Sequence, residues 1–281
     1  MDFEVWPEAI ELGRLFAEQG YELALVGGPV RDLLLHRKSH DLDFCSSARP
    51  EQFEPILRRW GHDGFWDMGR KFGTLGAMRR RADGTEVKVE VTTYRSDTYD
   101  PDSRKPEVNY GDTLEGDLSR RDFTVNAMAL RVPDLEFVDP FGGASDLAKG
   151  VLRTPVDPSQ SFDDDPLRMM RAVRFVAQLG FSIAPDAAEA ISSMRDRIEI
   201  VSAERVRDEL TKMLLSDRPR AGLEALVESG LADIVFPEIP ALQLQIDEHH
   251  RHKDVFEHTM IVLERAIALE TGPDGPVPAP D

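Results

Sequence analysis

Over the first 150 residues the apolar positions change period several times. A helical stretch near Glu8 to Glu18 leads into the continuous run Leu23 to Val26, which stops at Gly27 and Gly28. A short helix through Val30 to Leu35 is predicted next, followed by a strand-like segment around Asp41 to Cys45. Pro50 opens a helix carrying Phe53, Ile56 and Leu57. Two strands follow, near Phe72 to Met78 and Glu86 to Tyr94, separated by the hairpin signal Asp83-Gly84. Such alternation of element types predicts an α/β domain.

Residues 95 to 118 break the pattern. They are polar, rich in Asp, Gly and Pro, and without periodicity, and they read as a mobile loop. From about Val151 strand signals vanish. Asp165 to Gln178 is predicted as one helix with Pro166 in its first turn and Gly180 just past its end. Ser202 is placed as the N-cap of the next, where Val206, Leu210, Met213 and Leu214 recur at helical spacing. Pro219 to Ser229 is a third helix, closed by Gly230, and the tail from Thr271 is Pro/Gly-rich like a linker. No internal repeat is visible.

Composition narrows the picture without changing it. A chain of 281 residues with 41% hydrophobic and 31% charged positions is expected to hold two or more soluble domains. No apolar run approaches the roughly 18 to 20 residues of a membrane span, and the acidic N-terminus does not read as a secretory signal, so a cytoplasmic location is expected. Cys45 is the sole cysteine, which excludes an intrachain disulfide. The net charge of -18 argues against non-specific wrapping of nucleic acid; an RNA site would need clustered arginines such as Arg168, Arg171 and Arg174.

The chemistry concentrates in four segments. GGPVRD, Gly27 to Asp32, is followed by Asp41-Leu42-Asp43. On a strand Asp41 and Asp43 point to the same face with Cα atoms about 7 Å apart, a spacing that suits two Mg²⁺ ions shared with a nucleoside triphosphate. Gly27 and Gly28, between strand and helix, let backbone N–H groups approach a phosphate, and Arg31 supplies charge to neutralise it. Alone, the Gly-Gly pair reads as a tight turn and the Asp-x-Asp pair as a solvated strand edge; in this order they read as a site. Glu90 lies opposite Val87, Val89 and Val91 and reads either as a third carboxylate, acting as base or metal ligand, or as a solvated position beside Glu86 and Lys88.

In RRDFTVNAMAL, Arg120 to Leu130, helical spacing puts Phe123, Asn126, Ala127 and Leu130 on one stripe behind Asp122. Arg121 and Asn126 there are donors suited to a phosphate or sugar hydroxyl. In DDDPLRMMRAVR, Asp163 to Arg174, the residues Asp165, Arg168, Arg171 and Arg174 recur every three positions. They form either a run of surface ion pairs or a template made of side chains, with Asp165 and Arg168 facing a base edge and Arg171 and Arg174 facing phosphate.

Together these segments resemble the class II tRNA nucleotidyltransferase and bacterial poly(A) polymerase family of the DNA polymerase β-like superfamily. GGPVRD with Asp41 and Asp43 is similar to the family's metal-binding motif, and RRDFTVNA, including Arg121, Asp122 and Asn126, to its ribose-binding motif. Asp139-Pro140 with Gly143 and Asp146-Leu147 resembles the hinge between head and neck. DDPLR, Asp164 to Arg168, resembles the segment that selects CTP and ATP, with Asp164 where the family often has Glu, and SAERVRDEL, Ser202 to Leu210, the segment supporting it. The resemblance implies an α+β protein: a nucleotidyltransferase head over 1–150 with a mixed sheet and helices, a helical neck over 151–217, and a helical body over 218–281. HHRHKDVFEHT, His249 to Thr259, resembles the opening of an HD-type phosphohydrolase domain, but a histidine-rich helix start is more often surface, and no metal is assigned to His258.

The implied activity is addition of C, C and A to the tRNA 3′ end from CTP and ATP, with two Mg²⁺ ions. A poly(A) polymerase, or an enzyme adding only CC or only A, shares the same motifs. From other classes come a catalytically silent RNA-binding module and a fragment of a larger phosphohydrolase. Oligomeric state is not legible.

Overall fold

A computed structural model describes residues 5–37, 41–95, 98–100, 103–107, 111, 113–243 and 255–271. The chain divides into two compact units, Met1–Asp164 and Asp165–Asp281. The first unit therefore runs beyond residue 150 by one more helix.

The first unit contains, in order, α1 (Pro7–Ala17), β1 (Leu23–Val26), α2 (Gly28–Leu34), β2 (Asp41–Ser46), α3 (Pro50–Trp60), β3 (Gly64–Trp66), β4 (Thr74–Arg80) and β5 (Glu86–Thr93). There follow β6 (Thr98–Asp100), β7 (Ser103–Glu107), α4 (Leu114–Ser119), β8 (Ala129–Val132), β9 (Glu136–Val138), α5 (Gly143–Lys149) and α6 (Pro158–Asp164). Seven strands form one sheet in the order β3-β4-β5-β2-β1-β8-β9. Only β2 and β5 run parallel; the other pairs are antiparallel, so the sheet is mixed as expected.

The two faces of this sheet differ because side chains alternate along each strand. Leu25 and Phe44, partners across β1 and β2, are fully buried, as are Leu12 and Phe16 of α1 and Phe53 and Leu57 of α3. The rings of Phe16 and Phe53 stand 6.0 Å apart, which knits α1 to α3. On the opposite face, Ala24, Val26 and Cys45 cluster with Tyr94, Ala127, Ala129 and the α4 residues Leu114 and Leu118. Along β2 this face then changes from buried Cys45 to exposed Asp43 and Asp41.

Two expectations are corrected here. The segment 95–118 is not one loop: its described residues include an antiparallel ribbon of β6 and β7 and the helix α4. Thr113 caps that helix, its Oγ1 accepting the Gly116 N–H at 3.1 Å, and Leu114 with Leu118 supplies an apolar i, i+4 pair. Nor is 120–130 a helix. It is a single 3₁₀ turn at Thr124–Asn126 followed by β8, because Ala129 to Val132 pair with β1 and β9 and sheet pairing overrides helical spacing.

The second unit is helical: α7 (Leu167–Leu179), α8 (Pro185–Met194), α9 (Ala203–Leu214), α10 (Pro219–Glu228), α11 (Ala232–Val235) and α12 (Val255–Thr271). Asp165 precedes α7, and its carboxylate accepts the Leu167 N–H at 3.3 Å. Gly180 ends α7 in the left-handed region at φ 70°, and Ser202 is the N-cap of α9 as expected from sequence. His258 lies in α12, whereas 249–254 fall outside the described residues. No helix among the described residues is long and apolar enough to cross a membrane.

Candidate active site

The β2 and β5 register sets Asp43 opposite Glu90 and Asp41 opposite Lys88. Asp41, Asp43 and Glu90 therefore share one face of the sheet, and Glu90 takes its place beside the carboxylate pair. The surroundings act on Asp43: desolvation first, then the like charges of Glu90 and Asp41, push its carboxyl above the ordinary value, with Arg121 opposing them. A cation is the natural relief for such a cluster.

Gly27 ends β1 with φ 72°, a conformation that favours glycine. A Cβ added there would stand 2.9 Å from Arg121 Nη1, so the glycine also admits the guanidinium. Arg121 is held from behind: its Nη2 donates to Asp117 Oδ2 at 3.1 Å, while Arg120 Nε approaches Asp117 Oδ1 at 3.4 Å. Asp117 is only 1% exposed. Burial alone would raise its carboxyl, but Arg121 and Arg120 outweigh burial and hold it below the usual carboxylate range.

Arg31 is shared between two partners. Its Nε and Nη2 donate to Asp32 Oδ1 at 2.9 and 2.8 Å, and its Nη1 donates to Asn126 Oδ1 at 2.8 Å. Asn126 Nδ2 in turn donates to Asp122 Oδ1 at 2.9 Å, which also accepts the Phe123 N–H. The segments GGPVRD and RRDFTVNA, some 95 residues apart, are thereby locked together. Thr124 of that second segment donates to buried Asp146 at 2.8 Å, and Gly143 lies so close that an added Cβ would overlap Thr124 O. Asp139 accepts the Gly143 and Ala144 N–H groups, so 139–147 forms a tightly packed joint within the first unit.

In the second unit Asp165 is bridged by Arg205 of α9 at 3.5 Å, and Arg168 is 5% exposed. Arg174 donates through Nε to Glu209 and through Nη1 to Gln178, and its guanidinium lies 4.2 Å from the Phe175 ring centroid. Arg171 also neighbours that ring, at 5.9 Å. Arg174 is thus built into the pairing of α7 with α9, with Glu209 itself only 5% exposed.

Sequence reasoning missed Asp117 and Trp66, and covered Arg205 and Glu209 only as part of the supporting segment Ser202 to Leu210. Asp117 stands four residues before Arg121, a spacing that signals a helical ion pair. Nothing local marks Trp66, whose Nε1 donates to Glu90 Oε1 at 3.2 Å.

Among the described residues no three His, Cys, Asp or Glu side chains converge into a metal cage. The donor set that is present, an oxygen-only carboxylate pair flanked by an Arg-lined glycine turn, fits Mg²⁺, which takes one or two carboxylates and completes its shell with water and substrate phosphates.

Residues 23–153 match the family model described as poly A polymerase head domain, and 180–242 match the model described as probable RNA and SrmB-binding site of polymerase A. The chain is 37% identical over 233 residues to a CCA-adding enzyme of Lactobacillus johnsonii, covering 83% of this chain and 56% of the relative. A Bacillus subtilis CCA-adding enzyme is 36% identical over 238 residues, covering 84% and 56% respectively. Among solved structures, the Bacillus stearothermophilus CCA-adding enzyme in complex with CTP superimposes with a TM-score of 0.70 at 36% identity, covering 81% of this chain and 53% of that one. The Thermotoga maritima CCA-adding enzyme complexed with tRNA gives 0.69 at 29% identity, covering 83% and 54%. The chain spans about half the length of the curated relatives it matches.

Proposed function

The chain belongs to the class II tRNA nucleotidyltransferase and bacterial poly(A) polymerase family, and from that premise we propose that it adds C, C and A to the 3′ end of tRNA from CTP and ATP. The observation that carries the reading is the register of β2 against β5, which aligns Asp43 with Glu90 on the face that also bears Asp41. Asp41 and Asp43 would hold two Mg²⁺ ions, which would supply charge neutralisation at the attacking and leaving oxygens.

The chain's own groups do the rest. Backbone N–H groups at Gly27 and Gly28, with Arg121 over the turn, receive the triphosphate. Arg31 fixes Asn126 and Asp122, which face the ribose. Glu90 takes the proton of the RNA 3′-hydroxyl as its oxygen bonds to the α-phosphorus and the bond to pyrophosphate breaks. Asp165 and Arg168 offer an acceptor and a donor fork to the incoming base, braced by Arg205, while Arg171 faces phosphate and Arg174 holds α7 to α9 through Glu209. In this reading 1–150 is the catalytic head, 151–217 the selecting neck and 218–281 the helical body, working on cytoplasmic tRNA.

The test is incubation with a tRNA lacking its CCA, Mg²⁺, and labelled CTP and ATP separately and together. Ordered addition that stops after CCA and is lost in Asp41→Ala is expected. Long A-tailing without CTP would move the assignment to poly(A) polymerase, and incorporation retained by Asp41→Ala would remove the site.

A further inference from the structure

The register extends the carboxylate row across four strands. Trp66 on β3 pairs with Gly76 on β4, Gly76 with Glu90 on β5, and Glu90 with Asp43 on β2. Neighbouring strands lie about 4.8 Å apart, so β3 and β5 are separated by roughly 9 to 10 Å. A side chain on β3 reaches β5 only if β4 offers nothing in between. Gly76 meets that condition: a Cβ added there would stand 2.0 Å from Trp66 Cε2 and 2.2 Å from Nε1. The indole thus occupies the space above β4, and its N–H ends on Glu90 Oε1 at 3.2 Å. Trp66 is half-buried while Glu90 is exposed. An exposed glutamate has several rotamers of similar energy, and a hydrogen bond from a wedged aromatic selects one of them.

We propose that Trp66 is a positioning residue for the catalytic carboxylates: its indole N–H, carried across the side-chain gap at Gly76, fixes the Glu90 carboxylate beside Asp43. This inference rests on the assignment of Glu90 to the reaction given above. The competing account is purely structural, because an aromatic covering a glycine on the neighbouring strand stabilises a sheet without any polar contact. Trp66→Phe separates the two, since phenylalanine keeps an aromatic over Gly76 and lacks the N–H donor.

The experiment is a double-mutant cycle with Trp66→Phe, Glu90→Gln and the pair, in the full chain, reading nucleotide incorporation together with thermal stability and the indole N–H resonances of ¹⁵N-Trp-labelled protein. The chain has three tryptophans, so the signal missing in Trp66→Phe assigns Trp66. Expected are a drop in kcat of about tenfold for Trp66→Phe with KM for nucleotide and Tm unchanged, a larger drop for Glu90→Gln, and no further loss in the double variant. The Trp66 indole signal should also move in Glu90→Gln, a readout available whether or not turnover is seen. Full activity of Trp66→Phe alongside an impaired Glu90→Gln would overturn the inference alone, as would losses that multiply or an indole signal that stays in place. Full activity of Glu90→Gln would instead overturn the role of Glu90 on which the inference rests.

Discussion

Replacing Asp117 with asparagine removes one charge and almost no volume, and the structure makes the consequence large. Asp117 is 1% exposed and neutralises Arg121 at 3.1 Å and Arg120 at 3.4 Å, while Arg121 is in turn 24% exposed at the side chain. Breaking a buried pair by removing one partner costs about 3 to 5 kcal/mol, and the residual exposure of Arg121 favours the lower end. At about 2 to 4 °C per kcal/mol for a domain of this size, Tm should fall by roughly 6 to 12 °C. The effect has a pH signature. Because Arg121 and Arg120 hold the folded Asp117 carboxyl below its unfolded value near 3.9, ionised Asp117 stabilises the fold fully above about pH 5, and that contribution is lost as pH falls through the folded pKa. Circular dichroism melts of wild type and Asp117→Asn between pH 3 and 7 should therefore show a gap that is wide at neutral pH and narrows on acidification. A gap below about 2 °C at pH 7, or one that widens in acid, would refute the reasoning.

The second unit has a counterpart in Glu209, 5% exposed against Arg174. Glu209→Gln should lose about 3 kcal/mol in urea unfolding, whereas the same change at exposed Glu204 should stay within about 0.5 kcal/mol. Chelation of divalent cations should abolish incorporation while leaving Tm within about 1 °C, because β2 is held by strand pairing on both sides without an ion; incorporation that survives chelation would contradict the carboxylate-pair reading.

The sequence by itself determined many of the elements and put forward the candidate chemistry. Period, turn residues and caps gave β1 before its glycine turn, β2 with both aspartates on one side, the β4–β5 hairpin about Asp83-Gly84, α7 and α10 to within two residues at each end, and the N-cap of α9, because each depends on residues within one turn or one strand of each other. It could not separate a solvated Glu90 from a functional one, since that depends on which strand lies alongside β5. Only the tertiary structure supplies that neighbour, by running β2 parallel to β5 and setting Glu90 against Asp43. The same holds for residues 120–130, whose helical spacing yielded to pairing with β1 and β9, and for Asp146, Glu209 and Trp66, whose partners lie between 22 and 35 residues away. Local signals set what a segment can form; the partner that satisfies a buried charge or fills the gap over a glycine is chosen only when distant strands and helices meet.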